Sequence, residues 1–146
     1  MEGTSRADTR QFVVFKLGNE EYGIDIQKVT TIEKMMTIAR VPRTPDFIKG
    51  VINLRGEIIP IIDLRAKFSL SKTEETEDTR IIIIKIEEIS AGMIVDAVAE
   101  VLHLPEDSME NITNFSNDLS MDFILGVGKL EDRIVTLLNL EKLIKV

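Results

Sequence analysis

Gly50-Val51-Ile52-Asn53-Leu54-Arg55-Gly56-Glu57-Ile58-Ile59-Pro60-Ile61-Ile62 is the stretch that decides the fold. Two β-branched, apolar runs flank Arg55-Gly56, and the glycine can take the positive φ of a tight turn, so the segment predicts a β-hairpin. Pro60 has no N–H to give to a ladder, which predicts that its strand is an edge or carries a bulge there. Strand signals continue outward. Phe12-Val13-Val14-Phe15 and Ile81-Ile82-Ile83-Ile84 are too short for isolated helices. Gly18-Asn19-Glu20 supplies turn chemistry ahead of Glu21-Tyr22-Gly23-Ile24-Asp25, which predicts a first hairpin. Ile26, Val29 and Ile32 recur every three residues and predict one or two turns of helix with a narrow apolar face. Residues 69–79 are polar, acidic and aperiodic, a linker or exposed loop. Residues 140–146 read as a short closing helix or strand.

The chain repeats itself. Phe12-Val13-Val14-Phe15-Lys16 lies over Ile81-Ile82-Ile83-Ile84-Lys85 at an offset of 69, which also sets Gly23 on Gly92, Ile26 on Val95, Val29 on Val98 and Ile32 on Val101. Further on the offset is 76, and it sets Phe47-Ile48 on Phe123-Ile124, Gly50-Val51 on Gly126-Val127, Leu54 on Leu130, Ile58 on Ile134 and Leu64 on Leu140. Matched apolar spacing alone arises by chance in β-rich chains. Matched glycines each mark a backbone requirement, and they argue for duplication. The extra residues fall between Leu102 and Phe123, a polar stretch where insertion costs little. Halves of roughly sixty residues would be marginal alone, so they are expected to pack on one another.

Composition narrows the function. The 146 residues have no cysteine, a hydrophobic fraction of 44% and a net charge of −7. Disulfides and thiolate metal sites are thereby excluded, and nucleic acid or an anionic membrane is disfavoured as the main partner. The polar N-terminal stretch, residues 1–10, predicts a disordered tail. No signal peptide or membrane span is evident, since the most apolar run, residues 58–64, is broken by Pro60 and Asp63. The sequons at Asn111 and Asn114 are therefore read as chance, and the expected location is the cytoplasm.

Catalysis finds no candidate set. His103, the sole histidine, sits between Leu102 and Leu104 and reads as structural or solvent-facing. Gly126-Val127-Gly128 lacks the third glycine and following helix of a phosphate cradle. Glu74, Glu75, Glu77 and Asp78 read as a solvated loop without the glycine and terminal glutamate of a calcium-binding loop. Asp25, Asp63 and Asp96 stand at strand ends, where capping or turn roles are the default. No catalytic residue, metal site or cofactor is expected. Surface that could bind remains. Arg55-Gly56 corresponds to Glu131-Asp132 in the other half, which gives either two faces for two partners or ordinary surface drift. Met109, Ile112 and Phe115 punctuate a polar insertion, as anchors to the core or as an exposed hot spot.

The run from Phe47 to Leu64, with Phe12–Leu17, Glu20–Ile26 and Gly92–Val98, resembles the CheW family of bacterial chemotaxis coupling proteins from about Gln11 onward. The resemblance implies a mainly β fold of two five-stranded SH3-like barrels around a shared hydrophobic core, with a few short helices. It implies one domain, 11–146, whose intertwined halves span about 11–70 and 80–146. It also implies a non-enzymatic adaptor that links the cytoplasmic tips of transmembrane chemoreceptors to the regulatory domain of the histidine kinase CheA. Recruitment to receptor arrays at the inner face of the membrane would follow, without membrane insertion. Carried over residue by residue, Arg55 and Gly56 of the Asn-Leu-Arg-Gly motif go to the receptor side, with Gly50, Val29, Val95, Val98 and Val101 lining or shaping the groove between the barrels. Thr31, Ile32 and Phe115 go to the kinase side, although many members carry glutamate where Thr31 stands. Rival readings are an adaptor of a non-motility chemosensory pathway and a small-molecule sensor on a β-barrel. No receiver or kinase segment is evident, which favours a free-standing adaptor over the related CheV and CheA arrangements.

Overall fold

The computed structural model describes residues 9–110 and 122–144. Its strands are β1 (Thr9–Leu17), β2 (Glu20–Asp25), β3 (Val29–Lys34), β4 (Ile48–Leu54), β5 (Glu57–Asp63), β6 (Arg80–Ile86), β7 (Ile89–Val95), β8 (Ala97–Pro105), β9 (Met109–Glu110), β10 (Ile124–Leu130) and β11 (Arg133–Leu138). Short helices, Leu64–Lys67 and Leu140–Leu143, follow β5 and β11. The fold is mainly β, in two sheets ordered β8-β1-β2-β11-β10-β9 and β3-β6-β7-β5-β4, consistent with two SH3-like subdomains, although the first sheet has six strands where five were expected, the sixth being the two-residue β9.

Two compact units emerge, Met1–Ile26 with Ala99–Val146, and Gln27–Val98. They cut across the repeat. The first unit joins the β1–β2 hairpin of one half to the β10–β11 hairpin of the other, while the second joins β4–β5 to β6–β7. The seams are equivalent. β11 runs parallel to β2 with Leu137 opposite Gly23, and β5 runs parallel to β7 with Ile61 opposite Gly92. Both glycines are fixed by close approach. A Cβ on Gly92 would stand 2.6 Å from Ile61 Cδ1 and 2.9 Å from Ile81 Cγ2, and one on Gly23 would stand 3.0 Å from Leu137 Cδ2.

Each sheet wraps its own apolar cluster. In the first unit Phe12, Val14, Leu104, Val135 and Leu137 pack together. In the second, Ile52, Ile59, Ile61, Ile81 and Ile83 do so. The alternate residues of the same strands, Val13 and Phe15 in β1 and Ile82 and Ile84 in β6, are buried as well. Burial on both strand faces explains why these runs are continuously apolar rather than alternating. In the second unit the sheet curls on itself. Ala39, beyond β3, exchanges two 2.8 Å backbone hydrogen bonds with Val51 of β4 at the sheet's other edge. In the first, Leu104 of edge strand β8 lies against Gly128 of β10.

The helices carry the repeat into their caps. Asp63 Oδ1 accepts from the backbone N–H groups of Arg65 (3.1 Å) and Ala66 (3.4 Å), and its counterpart Asn139 accepts from Lys142. The capping expected of Asp63 is therefore seen. Asp25 and Asp96 instead pair with Arg10 and Arg65. Residues 69–78 are exposed, as their polarity predicted, whereas Thr79 at the end of that segment is buried and accepts from Thr76 N–H, and Leu140–Leu143 form the short helix expected there.

Two further expectations are corrected. The three-residue spacing of Ile26, Val29 and Ile32 does not mark an amphipathic helix. Only Ile26–Lys28 forms a 3₁₀ turn, and Val29–Lys34 is a strand with alternating exposure. Four consecutive β-branched residues, Val29-Thr30-Thr31-Ile32, outweigh a period read from three positions. Nor is β5 an edge strand, since it lies between β7 and β4. Pro60 faces Val51, whose own backbone groups turn to Ala39, so the pair exchanges no ladder bond. The proline nitrogen points toward β7, whose ladder begins only at Ile61. The bulge sits in β4, between Ile48 and Gly50.

Candidate partner-binding surface

The β4–β5 turn is built from four residues. Asn53 Oδ1 accepts a hydrogen bond from Gly56 N–H at 2.9 Å. Both central residues have positive φ, 52° at Arg55 and 90° at Gly56, the pairing of a type I′ hairpin turn. A non-glycine residue held there costs on the order of 1–2 kcal/mol, a strain that projects the Arg55 side chain into solvent with 74% of it exposed. Its guanidinium stands 3.8 Å from Glu33 Oε2 on β3. The same carboxylate oxygen accepts a 3.1 Å hydrogen bond from Thr31 Oγ1. Ile32 projects from the opposite face of β3 and is 40% exposed, and Ile58, just past the turn on β5, is 60% exposed.

The structure thus brings Arg55 and Thr31 onto one carboxylate, with Gly56 at the turn and Ile32 on the same edge strand. Glu33, the residue that joins them, was not singled out from sequence. A period-2 reading of the strand puts Glu33 on the face of Val29 and Thr31, but no spacing in the sequence sets it beside Arg55. Val29 and Val98 are half-buried and Val101 is exposed. Val95 is wholly buried. Gly50 is buried for a backbone reason: at φ 152° a Cβ would lie 2.3 Å from the carbonyl oxygen of Ala39. Phe115 and Ile112 lie outside the described residues, and Met109 packs on the core of the first unit. His103 is exposed and contacts Gln11.

The first unit carries the counterparts in a different charge setting. Val101 and Ile134 occupy the positions of Ile32 and Ile58 and are likewise exposed, at 46% and 62%. The turn here is Glu131-Asp132. The next residue, Arg133, is held by Glu100 and by Glu21 (2.9 Å), and these carboxylates raise its pKa above the usual guanidinium value, Glu100 foremost. In the second unit Lys67 Nζ lies 3.7 Å from the centre of the Phe47 ring, and burial lowers its pKa. Among the described residues no group of three or more histidine, aspartate or glutamate side chains is placed to hold a metal ion. No helix among them is long and apolar enough to cross a membrane.

Exposed β-branched apolar side chains near a charged turn, cationic and strained in one unit and anionic in the other, on a duplicated β framework define a protein-binding scaffold. The CheW-like domain family model matches residues 11–146, and the chain belongs to that family. It is similar to the chemotaxis protein CheW of Klebsiella aerogenes, with 42% identity over 135 residues, 92% of this chain and 81% of that protein. The CheW of Helicobacter pylori is 35% identical over the same shares of the two chains. Among solved structures, the scaffolding protein TtCheW from Thermoanaerobacter tengcongensis superposes with a TM-score of 0.86 at 41% identity, covering 94% of this chain and 93% of that one. The role of the chain is that of a chemotaxis scaffold.

Proposed function

We propose that the chain couples chemoreceptors to the kinase CheA by binding both at once in the cytoplasm, at the inner face of the membrane, without chemistry of its own. Arg55 and Gly56 meet the cytoplasmic tip of the receptor, with Gly50, Val29, Val95, Val98 and Val101 shaping that surface. Thr31, Ile32 and Phe115 meet the kinase's regulatory domain. The observation that carries the reading is the shared Glu33 carboxylate, which ties the exposed Arg55 to Thr31 beside exposed Ile32. Exposed apolar side chains and a partly paired charge on one edge strand are the kinds of group that protein interfaces recruit. Simultaneous binding raises the concentration of each partner for the other. A receptor state biases the kinase only through its differential affinity for the two arrangements.

The test is co-sedimentation of the chain with receptor-containing membranes, with and without CheA. Wild type pellets with the membranes and brings CheA with it. Arg55→Glu sets a carboxylate beside Glu33 and loses the membranes while still binding CheA. Ile32→Asp loses CheA first. Wild type that pellets with neither partner refutes the coupling role.

A further inference from the structure

The second unit holds a cleft of about 780 Å³ that plays no part in the surface above. Arg40, Arg43, Lys49 and Lys72 line it, against the carboxylates of Asp46 and Asp63. Asp63 is already engaged as a helix cap. None of the four cations has an ion-pair partner among the described residues, in contrast to Arg10, Arg55, Arg65, Lys129 and Arg133. In a chain of net charge −7, four unpaired cations around one concavity are a local reversal of sign.

The loop that carries the arginines is stiff. Pro42 and Pro45 fix two of its φ angles, Thr44 Oγ1 donates to the Val41 carbonyl at 3.1 Å, and Ile48 N–H donates to the Pro45 carbonyl at 2.9 Å. Arg43 between them is held at φ 65°. Strained backbone of this kind persists where the surroundings over-determine it and concentrates at ligand clamps. The volume falls in the range of small-molecule sites. Guanidinium forks suit phosphate oxygens, which they engage through paired, charge-assisted hydrogen bonds.

We propose that this cleft binds a compact, multiply charged phosphate ester. The neighbouring acidic segment argues for a compact ligand. A smaller cavity adjoins the cleft, and Lys49 and Lys72 line both, with Glu74 and Glu75 lining only the smaller one. An extended acidic chain would set its surplus charge against those glutamates, whereas clustered phosphates would not. The glutamates thus weaken anion binding and set its threshold.

Calorimetric titration of the full chain with inorganic triphosphate, at low and at physiological ionic strength, tests the site. One saturable event is expected, weakened by salt. Arg40→Gln with Arg43→Gln weakens it at least about tenfold. Glu74→Gln with Glu75→Gln tightens it about two- to fivefold. Lys129→Gln, in the other unit, leaves it unchanged. If the double arginine variant melts early, Arg43→Gly removes the charge while suiting the positive φ. Unsaturable uptake, equal affinity in the arginine variants, or equally good competition by citrate overturns the proposal. Sedimentation with phosphoinositide vesicles separates the sources. Capture that triphosphate displaces assigns the site to a lipid headgroup, and no capture alongside triphosphate binding assigns it to a soluble ester. Capture that triphosphate leaves intact overturns it.

Discussion

Replacing Gly92 by alanine inserts one methyl group into the seam between β5 and β7. Its three nearest neighbours are Ile61 Cδ1 at 2.6 Å, Ile81 Cγ2 at 2.9 Å and Ile83 Cδ1 at 3.1 Å, all from buried side chains of one cluster. Overpacking of this kind costs about 1–3 kcal/mol. Alanine restricts the unfolded chain, which offsets about 0.5–1 kcal/mol of that. The net loss is about 0–2.5 kcal/mol, toward the upper end for contacts this short, read as a lower urea midpoint at unchanged slope. The same substitution at Gly23 meets Leu137 Cδ2 at 3.0 Å and Val135 Cγ1 at 3.2 Å. Those contacts need yield only a few tenths of an ångström, so Gly23→Ala falls within about 1 kcal/mol of wild type. Ile61→Val deletes the very atom that Gly92→Ala strikes. Alone it costs about 0.5–1.5 kcal/mol, but combined with Gly92→Ala the loss is smaller than the sum of the two by roughly 1 kcal/mol, the coupling expected of a relieved clash. Gly92→Ala no worse than Gly23→Ala, or a strictly additive double variant, would refute the packing argument.

Other expectations follow from the polar contacts. Asp63→Ala removes the cap over Arg65 and Ala66 and lowers stability by about 1 kcal/mol in chemical denaturation. Arg65 pairs with Asp96 at 2.6 Å and donates to the Ser71 carbonyl at 2.8 Å. Arg65→Met therefore raises amide hydrogen exchange across residues 70–79, and protection equal to wild type would show that the guanidinium does not anchor the segment. Arg133→Gln frees Glu21 and Glu100 at a part-exposed site and costs under about 1 kcal/mol, a loss that shrinks in high salt.

Much of the fold could be read because glycines and turns punctuate it. Arg55-Gly56 gave the second hairpin and Gly18-Asn19 the first, while Gly23 and Gly92 marked the two equivalent seams. Where the sequence misled, a local signal competed with a tertiary one. Ile26, Val29 and Ile32 mimic a helical face, yet β-branching and pairing with β6 make residues 29–34 a strand. Pro60 signals an edge, yet it is tolerated inside the sheet because it faces Val51 at a non-hydrogen-bonded position and its nitrogen points to β7 before that ladder begins, a register no spacing rule could anticipate. The candidate surface was half legible. Arg55 and Gly56 come from the Asn-Leu-Arg-Gly motif and Thr31 and Ile32 from the family resemblance, but the carboxylate that unites Arg55 and Thr31 belongs to Glu33, brought near only by curling of the sheet.

The exchange of hairpins between the halves also orders events during synthesis. Gln27–Val98 is contiguous and can complete its sheet as soon as β7 leaves the ribosome. The β1–β2 hairpin, made first, must wait for β11 to pair with Glu21–Gly23. About a hundred residues of translation intervene, on the order of 5–20 s at ~5–20 residues per second. Throughout that delay the edge of β2 that β11 later covers stands open, so the oldest segment of the nascent chain is the last to be protected.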